Sequence, residues 1–501
     1  MNKKFNILSI FFCLLLLFIG CAKDHGNYNY TDIPKINIAD ATKTGTIFVK
    51  QGESLKLSPT IDLNGNVDNL TYEWFVYLNS ASASYVQDST RIATTKTLDY
   101  VMNPDLFTIG ENYKLTYKVT NRETGLSAFY FYQLSISDLF TQGWIFLEDK
   151  AGKADLSMIL RDGTVYHHIY SERNPTAPIV NPKSFTISPF SVADDVGPDG
   201  KKFYLVGGND GIELDGTTMK KRFDYDFLFF NTPSVIKPDY IGWGGANGSN
   251  VGLLLNDGLL HANMVGGFPG AKKFGAQLRT PTLGYDYNLA PQHVSGNAYN
   301  DTYNIIMFDK IHRRFYSVTS SALLAFEEAN QTASVFDMNN LEMDLIALDS
   351  SNVLAVRNAI MKGDDNKGYL LQFRMLRNAE NPSITVGKQE IVSPGIASAT
   401  QVTTSTLSPH IFYSYNDKIY RYEVPSNSYS EEYRLPANEI VTKIKFQKHG
   451  YGNAIPRLIV ATWNGTEGKV YYFKISQTGT IESLDKTYTG FGKIIDLAYK
   501  Y

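Results

Sequence analysis

The sequence predicts an all-β protein in two parts, a small antiparallel sandwich over residues 35–138 followed by a seven-bladed β-propeller over 139–501. Three observations lead there. Short apolar runs that alternate with polar residues and break at turn residues fill the first part, which is the pattern of half-buried strands. In the second part a strand–turn–strand unit recurs at a spacing of about fifty residues, the length of a four-stranded blade. Aromatic residues make up 13% of the chain, with 33 tyrosines, and aromatic side chains favour strands.

The first twenty residues stand apart. Lys3 and Lys4 precede an apolar run from Phe5 to Ile19, and the small residue Gly20 ends it. Such a run is shorter than the roughly twenty apolar residues of a membrane span, so residues 1–20 read as an export signal cut before Cys21. Cleavage there removes Cys13, the other of the two cysteines, and leaves Cys21 as the first residue of the mature chain. The arrangement resembles a bacterial lipoprotein signal, which implies acylation of Cys21 and attachment to a membrane without spanning it. With one mature cysteine no internal disulfide can form, and the core must supply the stability, which about 480 residues can do. Residues 21–34 show little apolar periodicity and read as a tether.

Within residues 35–138, Ile47-Phe48-Val49 leads through the turn Gln51-Gly52-Glu53 to Leu55-Lys56-Leu57. Leu70 to Tyr77, Tyr113 to Val119 and Ala128 to Ile136 follow as strands, the last two joined by the turn at Asn121–Gly125. A hundred residues of this kind fit a small immunoglobulin-like sandwich. Trp74 alternates with the polar Glu73 and so belongs to the core. Asp62, Asn64, Asn66 and Asp68 have the spacing of a calcium loop, but Val67 stands where such a loop needs glycine and no glutamate follows at its twelfth position, so we read a polar turn and assign no metal.

The stretch Tyr72-Glu73-Trp74, the strand Tyr113 to Val119 and Thr120-Asn121 resemble PKD-like domains, and "CAKDHGNYNY" is similar to the mature start of PKD-like lipoproteins of gut Bacteroidetes. The resemblance covers roughly the first 140 residues. Lys23 and Asp24 resemble the charged signal that sends such lipoproteins to the cell surface, an inner-leaflet, periplasm-facing location being the alternative. The resemblance implies an outer-membrane, lipid-anchored protein that accompanies nutrient importers of the SusC/SusD type. Asp88-Ser89-Thr90 also resembles a short O-glycosylation motif of that phylum.

The repeated unit is read at Met158–Tyr166, Phe203–Ile212, Gly252–Leu260, Arg314–Leu323, Ile411–Tyr420 and Leu458–Tyr472, with a looser copy between Leu345 and Phe373. Its Asp-Gly and Asn-Asp turns suit tight hairpins, whose central residues need positive φ. Gly492 to Tyr501 form one further strand with no hairpin partner, which predicts pairing with the strand at Trp144–Leu147, since open sheet edges invite aggregation. A large sandwich pair is the competing architecture.

The net charge of −3 and a pI near 6.3 give no basic field for nucleic acid. We find no nucleophile elbow, zinc helix, phosphate loop or CxxC pair, and so expect no cofactor and no catalytic group. His167 and His168 would face opposite ways on a strand. Asp194, Asp195 and Asp199 suit a turn, and Glu148 and Asp149 follow a strand from which they could join other carboxylates. Binding has the better support: "YIGWGGANGSN" sets Trp243 among glycines at a loop or its edge, where an indole could stack on a sugar or grip a peptide side chain. Folding back to cap a blade is the competing role. Tyr240, Tyr285 and Trp463 lie in similar settings and complete the expected aromatic surface. The function expected is capture of a glycan or peptide without turnover. The alternatives are a propeller hydrolase or lyase acting on a polysaccharide, and a structural partner of the importer.

Overall fold

The computed structural model describes residues 35–40, 45–63, 69–79, 88–138, 140, 142–188, 201–245, 251–264, 273–296, 301–327, 334–378, 383–447 and 456–500. Cys21, the signal and tether segments, Asp194, Asp195 and Asp199 lie outside those residues, as do three of the four residues of the calcium-like spacing. The chain divides into two compact units, Met1–Leu139 and Phe140–Tyr501. Both are built from strands. Among the described residues no helix is long and apolar enough to cross a membrane.

In the first unit a five-stranded sheet runs in the order Thr46–Lys50, Ser127–Ser137, Asn112–Asn121, Leu70–Leu78, Thr90–Ala93. The pair Thr46–Lys50 and Ser127–Ser137 is parallel and the other three pairs are antiparallel. Two short pairs complete the unit, Ile36–Ala39 with Thr60–Leu63 and Ser54–Leu57 with Leu98–Val101. Alternation sends one face of each strand inward, and Trp74 sits fully buried at the centre. Its ring stacks on Tyr117 at 4.2 Å, and its Nε1–H donates to the Thr95 carbonyl at 2.8 Å. The indole is thereby packed on its face and satisfied at its polar end, as a buried tryptophan requires.

The second unit holds seven antiparallel sheets among the described residues. Sheet 1 has the order Val165–Tyr166, Lys153–Leu160, Gly143–Lys150, Lys493–Lys500. Sheets 2 to 7 take their strands in chain order, starting with Ser184–Ile187, Pro238–Gly244, Leu289–Ser295, Met343–Ser350, Val402–Thr404 and Ile440–Phe446. Sheet 3 has three strands and the rest have four. The late strand Lys493–Lys500 pairs with Gly143–Lys150, Phe146 facing Leu497. The unpartnered run at residues 492–501 thus finds the partner that its sequence calls for.

Second strands such as Lys202–Val206, Val251–Asn256 and Ile305–Asp309 are buried at every residue, because both of their faces meet other sheets. The cores accordingly lie between sheets. Tyr204 of sheet 2 shares a core with Leu254 of sheet 3, Leu253 with Met307 of sheet 4, and Phe315 packs on Phe373 of sheet 5 at 5.2 Å. Ile360 then shares a core with Ile411 of sheet 6, Phe412 with Leu458 of sheet 7, and Tyr472 with Phe146 of sheet 1. Between sheets 1 and 2 the Phe185 N–H donates to Asp496 at 3.1 Å. The same carboxylate takes Lys443 of sheet 7 at 2.9 Å, so one aspartate on the late strand joins three sheets.

Neighbouring first strands run the same way. Lys183 Nζ donates to the Pro238 carbonyl at 2.7 Å, and three residues further along each strand Thr186 Oγ1 donates to that of Ile241 at 2.6 Å. The hairpin turns follow the expected chemistry, with positive φ at Asp257 and Gly258 and at Asn416. The repeat was nevertheless read out of phase. Leu253–Leu260 and Ile411–Tyr420 pair second with third strands, whereas Met158–Tyr166 and Val318–Leu323 pair third with fourth. An Asp-Gly pair stands in the turn before the fourth strand at Asp162-Gly163 and before the third at Asp257-Gly258, so that pair cannot say which hairpin of a sheet it marks.

Candidate functional site

The four predicted aromatics fall in different places. Tyr240 and Trp243 are both on the first strand of sheet 3, partly buried. The Tyr240 ring lies over Gly242, where any Cβ would collide with it, and stands 6.0 Å from the His293 ring of sheet 4. Burial, and next the charge of Asp496, push its phenol up. Trp243 lies over Gly252 of the adjoining strand and packs on Tyr204 at 5.7 Å and Phe274 at 6.5 Å, which is the capping role. Gly242 and Gly252 are clearance for these rings, and among the described residues of this run only Gly245 has positive φ. Trp463 ends the second strand of sheet 7, partly buried, and Tyr285 is exposed beneath the Arg279 guanidinium at 5.6 Å. Tyr285 is thus the exposed ring of the four, while Tyr240 and Trp243 belong to the wall and Trp463 is partly buried.

A second group forms at the end of sheet 1. His167 and His168 follow the strand rather than lie on it, with His168 at φ 59° before the short helix Ile169–Arg173, so both rings enter one polar network. The buried Glu148 accepts from Ser157 Oγ and from the Gly492 N–H, and Ser157 Oγ lies 3.0 Å from His167 Nδ1. His168 Nδ1 is 3.2 Å from both Asp155 and Lys150. Burial works to raise the Asp155 carboxyl, but Ser171, the Leu156 N–H and the Lys150 charge together hold it below its usual range. His167 is held below the usual imidazole range by burial, against the opposing pull of Glu148. Here the hydroxyl stands between carboxylate and imidazole. A Ser–His–acid relay needs the imidazole in the middle, so Ser157 is pinned rather than activated. Among the described residues no group of acidic, His and Cys side chains could hold a metal ion.

The site that sequence reading missed lies at the outer edge of sheet 2. After the strand Lys221–Asp224 the chain turns through the single 3-10 turn Asp226–Leu228, and Thr232 Oγ1 donates to the Asp226 carbonyl at 3.2 Å. The turn sends Tyr225, Leu228 and Phe229 into the core and Phe227 and Phe230 outward. Phe223 stacks on Phe227 at 4.2 Å, the Lys273 ammonium stands 3.8 Å over the Phe227 ring, and Arg222 is held by Glu213 at 2.8 Å. With Asp224 and Asp226 these residues line an open cleft of about 510 Å³. That volume suits a small ligand or one residue of a polymer. Phe230 is 59% exposed, so its ring is free to take a flat partner, with Asp226, Thr232 and Lys273 as polar neighbours. The run "FDYDFLFF" was the available signal: so many rings in an acidic setting cannot all be buried.

Residues 21–181 match the model of the PKD-like family. The match runs past the end of the first unit at Leu139 and over three of the four strands of sheet 1, leaving out Lys493–Lys500. No curated protein matches the chain. Among solved structures it is similar to a quinonprotein alcohol dehydrogenase-like protein from Bacteroides thetaiotaomicron, at 14% identity and TM-score 0.42 over 91% of this chain and 96% of that one. A DUF4784 family protein from Bacteroides caccae aligns at 7% identity and TM-score 0.30 over 93% and 98%. The WD40 domain of SCAP from fission yeast aligns at 8% identity and TM-score 0.34 over 64% and 75%.

Proposed function

We propose that this chain is an outer-membrane surface lipoprotein, held through Cys21, that captures a glycan or peptide without transforming it and serves a SusC/SusD-type nutrient importer. In this reading the seven sheets are the blades of one propeller, and the strand Lys493–Lys500 closes the ring by completing sheet 1. The observation that carries the binding reading is the cleft of Phe223, Phe227 and Phe230 with Lys273 and Asp226, which sets exposed rings beside charged groups. Isothermal titration against a panel of glycans and peptides tests it. A ligand whose affinity drops at least tenfold in F227A/F230A, with no turnover, supports capture. Binding that the double variant leaves unchanged removes the cleft from the account.

The group of Glu148, Asp155, His167 and His168 favours a second reading, a polysaccharide hydrolase or lyase. Product formation from any glycan of the panel, lost in H167N and retained in F227A/F230A, would establish it in place of capture. Purification of intact membrane complexes tests the association with an importer; co-purification without any small-ligand affinity would favour a structural partner.

A further inference from the structure

The outer face of the five-stranded sheet in the first unit should be polar, since the opposite face already supplies the core. Instead it carries rings. Register places Phe129 beside Lys118 and Glu73, Phe131 beside Thr116 and Phe75, and Gln133 beside Lys114 and Tyr77. Phe48, on the neighbouring parallel strand, faces Ser135. Phe48 is 77% exposed, and Phe129 and Phe131 are each 53% exposed. Lys114 holds its ammonium 4.0 Å above the Phe131 ring and 5.9 Å from that of Tyr77. Lys118 and Arg91 share the single carboxylate Glu73 at 3.0 and 3.3 Å. Lys50, on the same face as Phe48, is offset by Glu53 at 3.9 Å, and Lys114, Lys118 and Arg91 against the one carboxylate of Glu73 leave these groups with a net charge of +2.

We propose that this face rests on a bilayer surface carrying anionic headgroups, with Phe48, Phe129 and Phe131 entering the interface and Lys114 meeting phosphate. Rings flanked by basic side chains are the composition that membrane interfaces select, and contiguous exposed apolar residues mark an interaction surface. The chain supplies the proximity. Between Cys21 and Lys35 lie thirteen residues, which even fully extended reach at most ~45 Å, so an acylated Cys21 keeps the sandwich within one domain's length of the lipid. The inference rests on the anchoring reading for that proximity alone. The face itself is testable without the lipid.

The test is co-sedimentation of the chain from residue 22 onward, made without acylation, with vesicles of phosphatidylglycerol and phosphatidylcholine in equal parts. The wild-type chain is expected to partition onto them, weakening as salt rises or as the phosphatidylglycerol is withdrawn. F129S/F131S should weaken partition at least tenfold and K114E by a smaller factor, while V392S, at an exposed apolar residue of the other unit, should change nothing. No partition by the wild type, or equal partition by F129S/F131S, overturns the proposal. So does a wild-type dimer in light scattering that F129S/F131S turns into a monomer, since a second copy would then be the occupant. Mass spectrometry of the membrane-extracted protein reports acylation of Cys21 separately, so failure of the anchor and failure of the face give different results.

Discussion

The two units use strands in opposite ways. In the sandwich, strands far apart in sequence pair directly, as Thr46–Lys50 does with residues 133–137, and all of them feed one core around Trp74. In the second unit each sheet is assembled from consecutive hairpins, and the apolar residues are divided among separate cores at the junctions of neighbouring sheets. One core makes a unit fail as a whole from a single defect. Many cores spread a defect, except at the pairing of Gly143–Lys150 with Lys493–Lys500, which among the described strands of this unit is the one that is not local.

The sharpest break in that comparison should come from deleting residues 493–501. Calorimetry of the deleted chain is expected to lose the melting transition of the second unit and keep that of the sandwich; survival of both would mean that the late strand is dispensable. Next in size is W74A, which removes the largest buried ring and its bond to Thr95 and should cost the sandwich about 3–5 kcal/mol. For a unit of that size the transition would fall by about 15 °C or more. F412A, which opens the junction of sheets 6 and 7, should cost a similar ~3–5 kcal/mol yet move its transition less, because the larger unit melts with a larger entropy. Equal shifts for the two variants would deny the contrast between one core and many.

A smaller effect concerns acid. His167 is held below its unfolded value, so the unfolded chain takes up this proton first, and stability falls as pH drops through about 6.5. Asp155 and Glu439 are also held below their unfolded values. Their contribution is full above the ordinary carboxylate range and is lost as pH falls through and below it. Melting temperatures measured from pH 8 to 2 should therefore decline in two stages for the second unit. Burial holds His261, His293 and His410 of this unit below their unfolded values too, so H167N should shrink the first stage without removing it, and an unchanged profile in H167N would exclude His167 as a contributor. The least effect belongs to F129S/F131S, whose rings face solvent: the sandwich transition should move by no more than ~0.5 kcal/mol, which keeps the vesicle experiment free of unfolding.

The contrast also explains what could be read from sequence. Alternation and turn chemistry are local, so the strands, the core position of Trp74 and the recurring hairpins were legible. The pairing at residues 493–500 was legible too, because an apolar strand without a neighbour has to find one. The phase of the hairpins was not, since the same dipeptide serves at Asp162-Gly163 and at Asp257-Gly258, in different parts of a sheet and with different backbone, φ being positive at both residues only in the second. Glycine misled at Tyr240 and Trp243. A glycine beside a ring signals a loop or clearance for the ring, and only neighbours from other strands, here Gly252 and His293, distinguish the two. The cleft depended on where the strand Lys221–Asp224 stops, because that decides which rings of "FDYDFLFF" turn outward.

The bond from the Gly492 N–H to Glu148 spans 344 residues of sequence. During synthesis the sandwich can finish while most of the remainder is still unmade, but sheet 1 must wait with an open edge until the final strand emerges. The open edge of Gly143–Lys150 therefore needs protection for nearly the whole time these residues are being made, and a chain cut before Lys493 leaves sheet 1 without its fourth strand.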